Sequence, residues 1–267
     1  MFESSSSATT ILFNNVSNQP PKSQKTSSAF SIEQDTWSLS ASREIIPREI
    51  RDGSLFVVEG VDGSGKSTQM QMMHDWLASN GFAVEMTTWT SSETIRPLIK
   101  AIKKEHVLVS PYVFSLLYVA DFAERCAKTI HGALKAGKIV LADRYVYTAL
   151  SRDVARGLSH DWVAQAYRFA PQPDIAMYFR VSPEVAISRK DNFPKFYEAG
   201  MDLGLSDNPM DAFKIFQTRV IEEYEKMIGK YNLNVFNGED RLYNTFPKVR
   251  TVIAEFIKKK YDIEMMQ

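Results

Sequence analysis

The run Gly60-Val61-Asp62-Gly63-Ser64-Gly65-Lys66-Ser67 is the stretch of this 267-residue chain whose residue types and spacing most clearly point to chemistry. A glycine, four residues and then Gly-Lys-Ser is the spacing of a phosphate-binding loop. Glycine lets backbone amides turn toward an anion with no side chain in the way. A helix start after the loop adds free N–H groups and positive potential. Lys66 then reaches the outer phosphates of a nucleoside triphosphate, and the Ser67 hydroxyl binds magnesium. A second group is Asp143-Arg144-Tyr145, at the end of an apolar run. The aspartate suits magnesium-bound water, and the arginine can grip a phosphate with two parallel hydrogen bonds. Taken alone, Asp-Arg is also an ordinary surface ion pair. No Asn-Lys-x-Asp stretch for guanine is present, so ATP with Mg2+ is the expected nucleotide.

Elements of two kinds must position these groups. Short apolar runs at 55–59, 82–87, 138–142, 175–181 and 234–237 read as strands. Between and around them, helical patterns cover 66–79, 94–104, 111–136, 159–169, 183–190, 210–231 and 246–259. Regular alternation of this kind predicts a parallel five-stranded sheet with helices on both faces, a three-layer α/β sandwich of the P-loop NTPase type. Such sheets bind ligands at the carboxyl ends of their strands, where both groups fall. No internal repeat divides the chain, so residues 51–267 read as one domain.

Residues 1–50 read differently. Of the first 42 positions, 12 are serine, 4 threonine, 3 asparagine and 3 glutamine. Such a segment buries too little apolar surface to offset its chain entropy and reads as a disordered tail, with 43–50 as connector. A mitochondrial targeting peptide is the rival, but it calls for arginines and few acids. Here Glu3, Glu33 and Asp35 precede Arg43, the first arginine. Over the whole chain 32 basic and 32 acidic residues balance. That argues against a nucleic-acid coat or a polybasic membrane anchor. No apolar run approaches a membrane span. The single cysteine, Cys126, excludes an internal disulfide and reads as packed. His74, His106, His131 and His160 lack metal-ligand spacing. A cytoplasmic setting is expected.

From Leu55 to about Gly200 the chain resembles the thymidylate kinases. Their loop pattern Glu-Gly-x-Asp-Gly-x-Gly-Lys-Ser-Thr-Gln is matched by Glu59 to Gln69. Their Asp-Arg-aromatic strand end is matched by Asp143-Arg144-Tyr145, and Pro-Glu-x-Ala-x-x-Arg by Pro183 to Arg189. Phe196-Tyr197-Glu198 resembles the end of the lid. The resemblance implies phosphorylation of a nucleoside monophosphate by ATP, with dTMP the leading acceptor, and a homodimer. It implies ATP phosphates on Gly60, Asp62, Gly63, Ser64, Gly65, Lys66, Ser67 and Thr68. It puts Asp62 on the acceptor side, Arg144 on the acceptor phosphate, Arg189 beside adenine or the lid, and Tyr197 at the acceptor. Magnesium falls to Ser67 and Asp143. Lys66, Arg144, Asp62 and Arg189 are the expected catalytic set. Since Gly63-Ser64 stand where some members carry a loop arginine, Arg189, Lys190 and Lys195 are candidates for the missing charge.

Departures gather on the acceptor side. The loop after the second strand, Thr87 to Glu93, lacks the usual arginine, and Arg96 comes later. Phe122 replaces a helix arginine; Arg125, on the same face, is expected to stand in for it while Tyr118 stacks on a base. Packing in the core is the alternative for Tyr118 and Phe122. The family's Ser-x-x-Ala-Tyr-Gln-Gly becomes Thr148-Ala149-Leu150-Ser151-Arg152-Asp153-Val154, and Arg152 is expected to join Arg144 on the acceptor phosphate. Two rivals therefore stay open: a kinase for a different phosphate-bearing or hydroxyl acceptor, and a module that senses ATP without turnover.

Overall fold

A computed structural model describes residues 53–189 and 194–266. The expected tail and Lys190 lie outside the described residues. Five parallel strands form one sheet in the order β2-β3-β1-β4-β5. They are β1 (Ser54–Glu59), β2 (Val84–Thr88), β3 (Ile139–Asp143), β4 (Ile175–Arg180) and β5 (Asn234–Asn237). β1 is apolar at successive positions because it is covered on both faces, and Leu55 to Val58 are wholly buried.

Alternate residues feed two cores. Phe56 and Val58 of β1 pack with α1 (Lys66–Ser79) and α10 (Leu242–Tyr261) through Met70, Met73, Val249 and Ile253. Leu55 and Val57 face the other way, into a larger core. That core contains α3 (Pro111–Arg125), α4 (His131–Lys135), α5 (Val146–Ala155), α6 (His160–Ala166) and α9 (Pro209–Lys230). Three short helices, α2 (Arg96–Lys104), α7 (Pro183–Ser188) and α8 (Phe196–Ala199), sit around the carboxyl end of the sheet. α2, α3 and α8 share a small cluster built on Ile99, Ile102, Phe114, Tyr118 and Tyr197. The chain end is tied to the sheet start: Lys260 Nζ donates to the Gly53 carbonyl at 2.7 Å, and Ser54 Oγ meets Tyr261 Oη at 2.7 Å.

The long helix expected over 111–136 is interrupted by a π-helical turn, Cys126–Ile130, which separates α3 from α4. Its first residue, Cys126, is buried, and burial pushes its thiol up to about 12, in keeping with a packed residue. α10 starts a turn earlier than expected and holds Pro247 within it. The only helical bond this proline forgoes is to the carbonyl of Tyr243, a residue exposed to water. α5 was not expected as a helix at all. Its start, Val146 to Thr148, is rich in β-branched and aromatic residues that favour strands, and tertiary bonds override that preference. No described helix is long and apolar enough to cross a membrane.

Ile253 is fully buried between α10 and the sheet. Ile253→Ala should lower unfolding free energy by about 2–5 kcal/mol in urea titrations. A loss below about 1 kcal/mol would contradict the packing of α10 on β1.

Candidate active site

The phosphate-binding loop, residues 60–65, joins β1 to α1 at the carboxyl edge of the sheet. At Gly63 (φ 85°) a Cβ would lie 2.7 Å from the Ala186 carbonyl oxygen, so only glycine fits. At Gly65 (φ 86°) the same left-handed backbone faces open space, where an anion meets amides alone. Lys66 turns back over the loop: its Nζ donates to the Val61 carbonyl at 2.7 Å and to Ser64 Oγ at 3.3 Å. Burial and the nearby Arg144 lower its pKa to about 7. Ser67 and Thr68 are exposed at the loop's open side.

Beside this loop β3 ends in Asp143 and Arg144. Asp143 Oδ1 is buried without a hydrogen-bond partner. Arg144 holds a left-handed backbone, φ 66°, costing roughly 1 kcal/mol or more for a non-glycine residue. Its amide donates to the Val58 carbonyl at 2.9 Å and its carbonyl accepts from Arg125 Nη1 at 2.9 Å, which pin that geometry. The turn aims its guanidinium across the cleft, onto the Gly60 carbonyl at 3.1 Å and into an ion pair with Asp62.

Arg125 therefore has a different place from the expected one. It is buried, and among the described residues its hydrogen bonds go to Arg144 and to Thr87, with Nε on Oγ1 at 2.9 Å and Nη2 on the carbonyl at 3.1 Å. Its face of α3 turns toward the edge of β2, so it supports Arg144 from behind and does not line the cavity that runs along α5. The loop after β2 is held by Asp121, which accepts from the Ser91 and Ser92 amides at 3.2 and 3.0 Å. Trp89 comes from that loop into the cavity, while Arg96 is exposed outside it.

A cavity of about 230 Å³ runs from Asp62, Asp143 and Arg144 along α5. Thr148, Arg152, Asp153 and Arg156 line it from α5, as do Tyr118 from α3 and Tyr197 from α8. Tyr197 is stacked on Phe114 with ring centroids 4.7 Å apart, and its hydroxyl donates to the Val107 carbonyl. Tyr118 stacks on Trp89 at 6.0 Å. Among the described residues Arg152 has no acceptor for its guanidinium, which lies 6.0 Å over the Phe216 ring. A separate cavity of about 490 Å³ lies beyond Gly63 and Gly65. Arg189 lines that one instead, with Nη1 3.3 Å from the Gly63 carbonyl and Nη2 3.3 Å from the Glu239 carbonyl. Lys195 is exposed at the start of α8.

Several residues of this site were not anticipated. Glu59 was seen only as a motif letter, yet its wholly buried carboxylate takes four hydrogen bonds. The Tyr145 and Thr148 amides donate to Oε1 at 2.7 and 3.2 Å; Thr148 Oγ1 and Tyr224 Oη donate to Oε2, each at 2.7 Å. It thereby caps α5 and sets the cavity wall. Burial raises its pKa. Arg156 was missed as well; its spacing of four from Arg152 was the available signal. It is tied to Asp202 at 3.2 Å and to the Tyr197 carbonyl at 2.7 Å, so it holds α8 against α5.

The sequence profile of thymidylate kinases matches residues 58–236. The chain belongs to the thymidylate kinase family. It is similar to a probable thymidylate kinase 2 of Saccharolobus solfataricus, 39% identical over 210 residues, covering 77% of this chain and 97% of that one. A probable thymidylate kinase of Thermococcus kodakarensis is 35% identical over 215 residues, 75% of this chain and 94% of its own. The thymidylate kinase of Bacillus licheniformis is 28% identical over 219 residues, 78% and 98% of the two. The family's sandwich, with its five parallel strands, is the fold expected from the alternating pattern.

Glu59→Ala should leave several donors unpaired, lower stability by about 3 kcal/mol or more and cut turnover. Glu59→Gln, whose amide the Thr148 and Tyr224 hydroxyls can accept from after rotating, should stay closer to the parent. Equal stability for parent and alanine variant in thermal melts would remove Glu59 from this role.

Proposed function

We propose that this protein transfers the γ-phosphoryl group of ATP to the phosphate of dTMP, giving ADP and dTDP. The observation that carries the reading is one loop flanked by two cavities. Arg189 lies on one side and the Asp62–Arg144 pair on the other, with Lys66 between. The larger cavity takes the donor's adenosine part beside Arg189. The smaller takes the acceptor with its phosphate on Arg144. Lys66, recharged by an arriving polyphosphate, binds the outer phosphates. Arg152, without a hydrogen-bond acceptor among the described residues, is the second cation for the acceptor phosphate. Asp62 faces the acceptor, and Thr148 and Tyr197 close the cavity around it.

The residues fit a magnesium ion. Asp143 Oδ1 is buried and unpartnered, and Ser67 offers an exposed hydroxyl, both hard oxygen donors. Magnesium, when bound, neutralises charge on the β- and γ-phosphate oxygens. A monophosphate dianion is already a nucleophile, so the residues' work is positioning and charge neutralisation.

Neither rival is favoured: the loop lysine, the strand-end arginine and the acceptor cavity are all in place, and relatives matched over nearly their whole lengths carry the kinase name. For the homodimer, the supporting surface is the outer face of α3, where Tyr112, Val113 and Leu116 are exposed. The cytoplasmic setting rests on composition, with one cysteine and no disulfide to form.

ADP formation from ATP and magnesium should be selective for dTMP among pyrimidine and purine monophosphates. No turnover with any of them would overturn the reading. Arg152→Ala should raise the acceptor KM about tenfold or more, a charged hydrogen bond's worth, without changing the KM for ATP. Unchanged acceptor KM and kcat would remove Arg152 from the phosphate site.

Lys66 gives a pH test. With its pKa near 7 in the free protein, it is mostly neutral at pH 8. A polyphosphate favours the charged form, so binding ATP at pH 8 should take up a proton, close to one per site. Calorimetry in buffers of different ionisation heats measures this. Uptake should fade as pH falls below about 6, where Lys66 is already charged.

A further inference from the structure

A third cavity, of about 650 Å³, lies behind α5 and is enclosed by α5, α6, the chain entering β4 and the end of α9. It shares no lining residue with either cavity of the active site. Its volume exceeds both of theirs and falls in the range of roughly 300–1,000 Å³ that suits small organic ligands. Its walls are aromatic. Tyr145, Tyr147 and Tyr167 line it and are each more than nine-tenths buried, with Tyr231 and His160 beside them. Tyr147 packs on Tyr231 with ring centroids 5.4 Å apart, and His160 stacks on the same ring at 6.3 Å.

Two polar groups of this wall are left to a ligand. Tyr147 is only 6% exposed, yet its hydroxyl has no hydrogen-bond partner among the described residues. A hydroxyl taken so far from water costs stability until something meets it. Lys230 has no carboxylate partner among the described residues; its Nζ lies 3.4 Å from His160 Nε2 and 5.4 Å over the Tyr231 ring. Asp161 stands 3.4 Å from His160 Nδ1, which keeps the ring proton there and leaves Nε2 to accept. The imidazole therefore brings no charge to offset the lysine. The carboxylates of the lining are turned elsewhere. The Asp161 side chain is 96% exposed, and Asp174 accepts from the Leu55 amide at 2.8 Å and lies 4.0 Å from Lys260. With Arg168 also in the lining, the cavity favours an anion.

We propose that this cavity is a second small-molecule site, for a flat-ringed anion whose occupancy changes acceptor binding through α5. The ring lies against the tyrosines with a polar edge on the Tyr147 hydroxyl, and Lys230 holds the anionic group. Tyr147 and Leu150 lie on the face of α5 turned away from Thr148 and Arg152, which line the acceptor cavity. Tyr145 directly follows Arg144 in the chain. One helix thus has a ligand site on each face, and whatever shifts it on one side is felt on the other. The coupling is reciprocal, so the acceptor changes affinity at the rear site by the same factor. The coupling rests on the kinase reading of the acceptor cavity; the rear site does not.

The test uses the full-length protein with saturating ADP, magnesium and dTMP, and the fluorescent sulfonate 8-anilinonaphthalene-1-sulfonate as probe. One probe per chain should bind and brighten. Lys230→Ala should weaken it about tenfold or more, and Tyr147→Phe should weaken it less. Without probe, Lys230→Ala should keep the parent's kcat and KM. With probe, the parent's dTMP KM should change about fivefold or more while its ATP KM stays, and Lys230→Ala should lose this response. Displacement by dTTP but not by 4-hydroxyphenylacetate supports a nucleotide as the anion; the reverse supports an aromatic carboxylate; displacement by neither overturns the ligand class. Equal probe affinity in the parent and both variants overturns the site. An unchanged dTMP KM with probe bound overturns the coupling. A parent that turns over no monophosphate overturns the kinase reading and the coupling with it, and the probe titration then decides the site. Should Lys230→Ala fail to fold, Tyr147→Phe, close in shape, decides alone.

Discussion

Everything at the active edge depends on one buried carboxylate accepting from four donors. Glu59 is the last residue of β1, and its partners come from the start of α5 and the middle of α9. A charge taken out of water must be met by donors in place, and here the donors are the elements that form the site. Two are amides of the helix start, that of Tyr145 and that of Thr148, which it shares with the Tyr145 carbonyl. The carboxylate therefore fixes where α5 begins and which way it runs. That axis decides which residues reach the acceptor cavity. Tyr224 adds rigidity beyond its hydroxyl, because its ring stacks on Tyr178 of β4 at 4.7 Å. The strand that carries the phosphate-binding loop and the helix that lines the acceptor cavity are thus one mechanical unit.

Arg144 shows how such a unit holds strain. A left-handed arginine persists only where its surroundings over-determine it. Here its amide, its carbonyl and its guanidinium are each bonded to a different segment: β1, α3 and the phosphate-binding loop. Arg125 serves this purpose. Burying a second arginine lowers its pKa, and three acceptors on Thr87 and Arg144 offset the burial. α3 brings no arginine to the cavity, whereas α5 brings Arg152 and Arg156.

What the sequence disclosed follows from range. The phosphate-binding loop, the five strands and most helices depend on neighbours in sequence, and period and glycine spacing report them. The Asp143-Arg144 pair was legible because a strand end places it beside the loop in any parallel sheet of this kind. Contacts across long separations were not legible. Arg125 and Phe122 share a helix face, and nothing local says that the arginine turns to β2. Ser115 and Asp153 are 38 residues apart and meet only when α3 packs across α5. α5 itself escaped notice because its first turn is held by Glu59, 86 residues earlier than Tyr145, rather than by its own propensity.

Three cations of the site, Lys66, Arg189 and Arg144, are already bonded in the free protein, by partners that a phosphate outbids. Lys66 rests on a neutral carbonyl, Arg189 on carbonyls of two loops, and Arg144 on a carbonyl and on Asp62. A neutral carbonyl is a weaker acceptor for a cation than a phosphate dianion, which adds the attraction of full opposite charges to the hydrogen bond. At these three, a phosphate replaces bonds already made instead of ordering side chains that were loose, and the entropy of fixing them is largely met on folding. The exception is Arg144, where the rival is itself a carboxylate. That bond joins two charges, so displacing it takes a ligand that carries more charge than one carboxylate, as a phosphate dianion does.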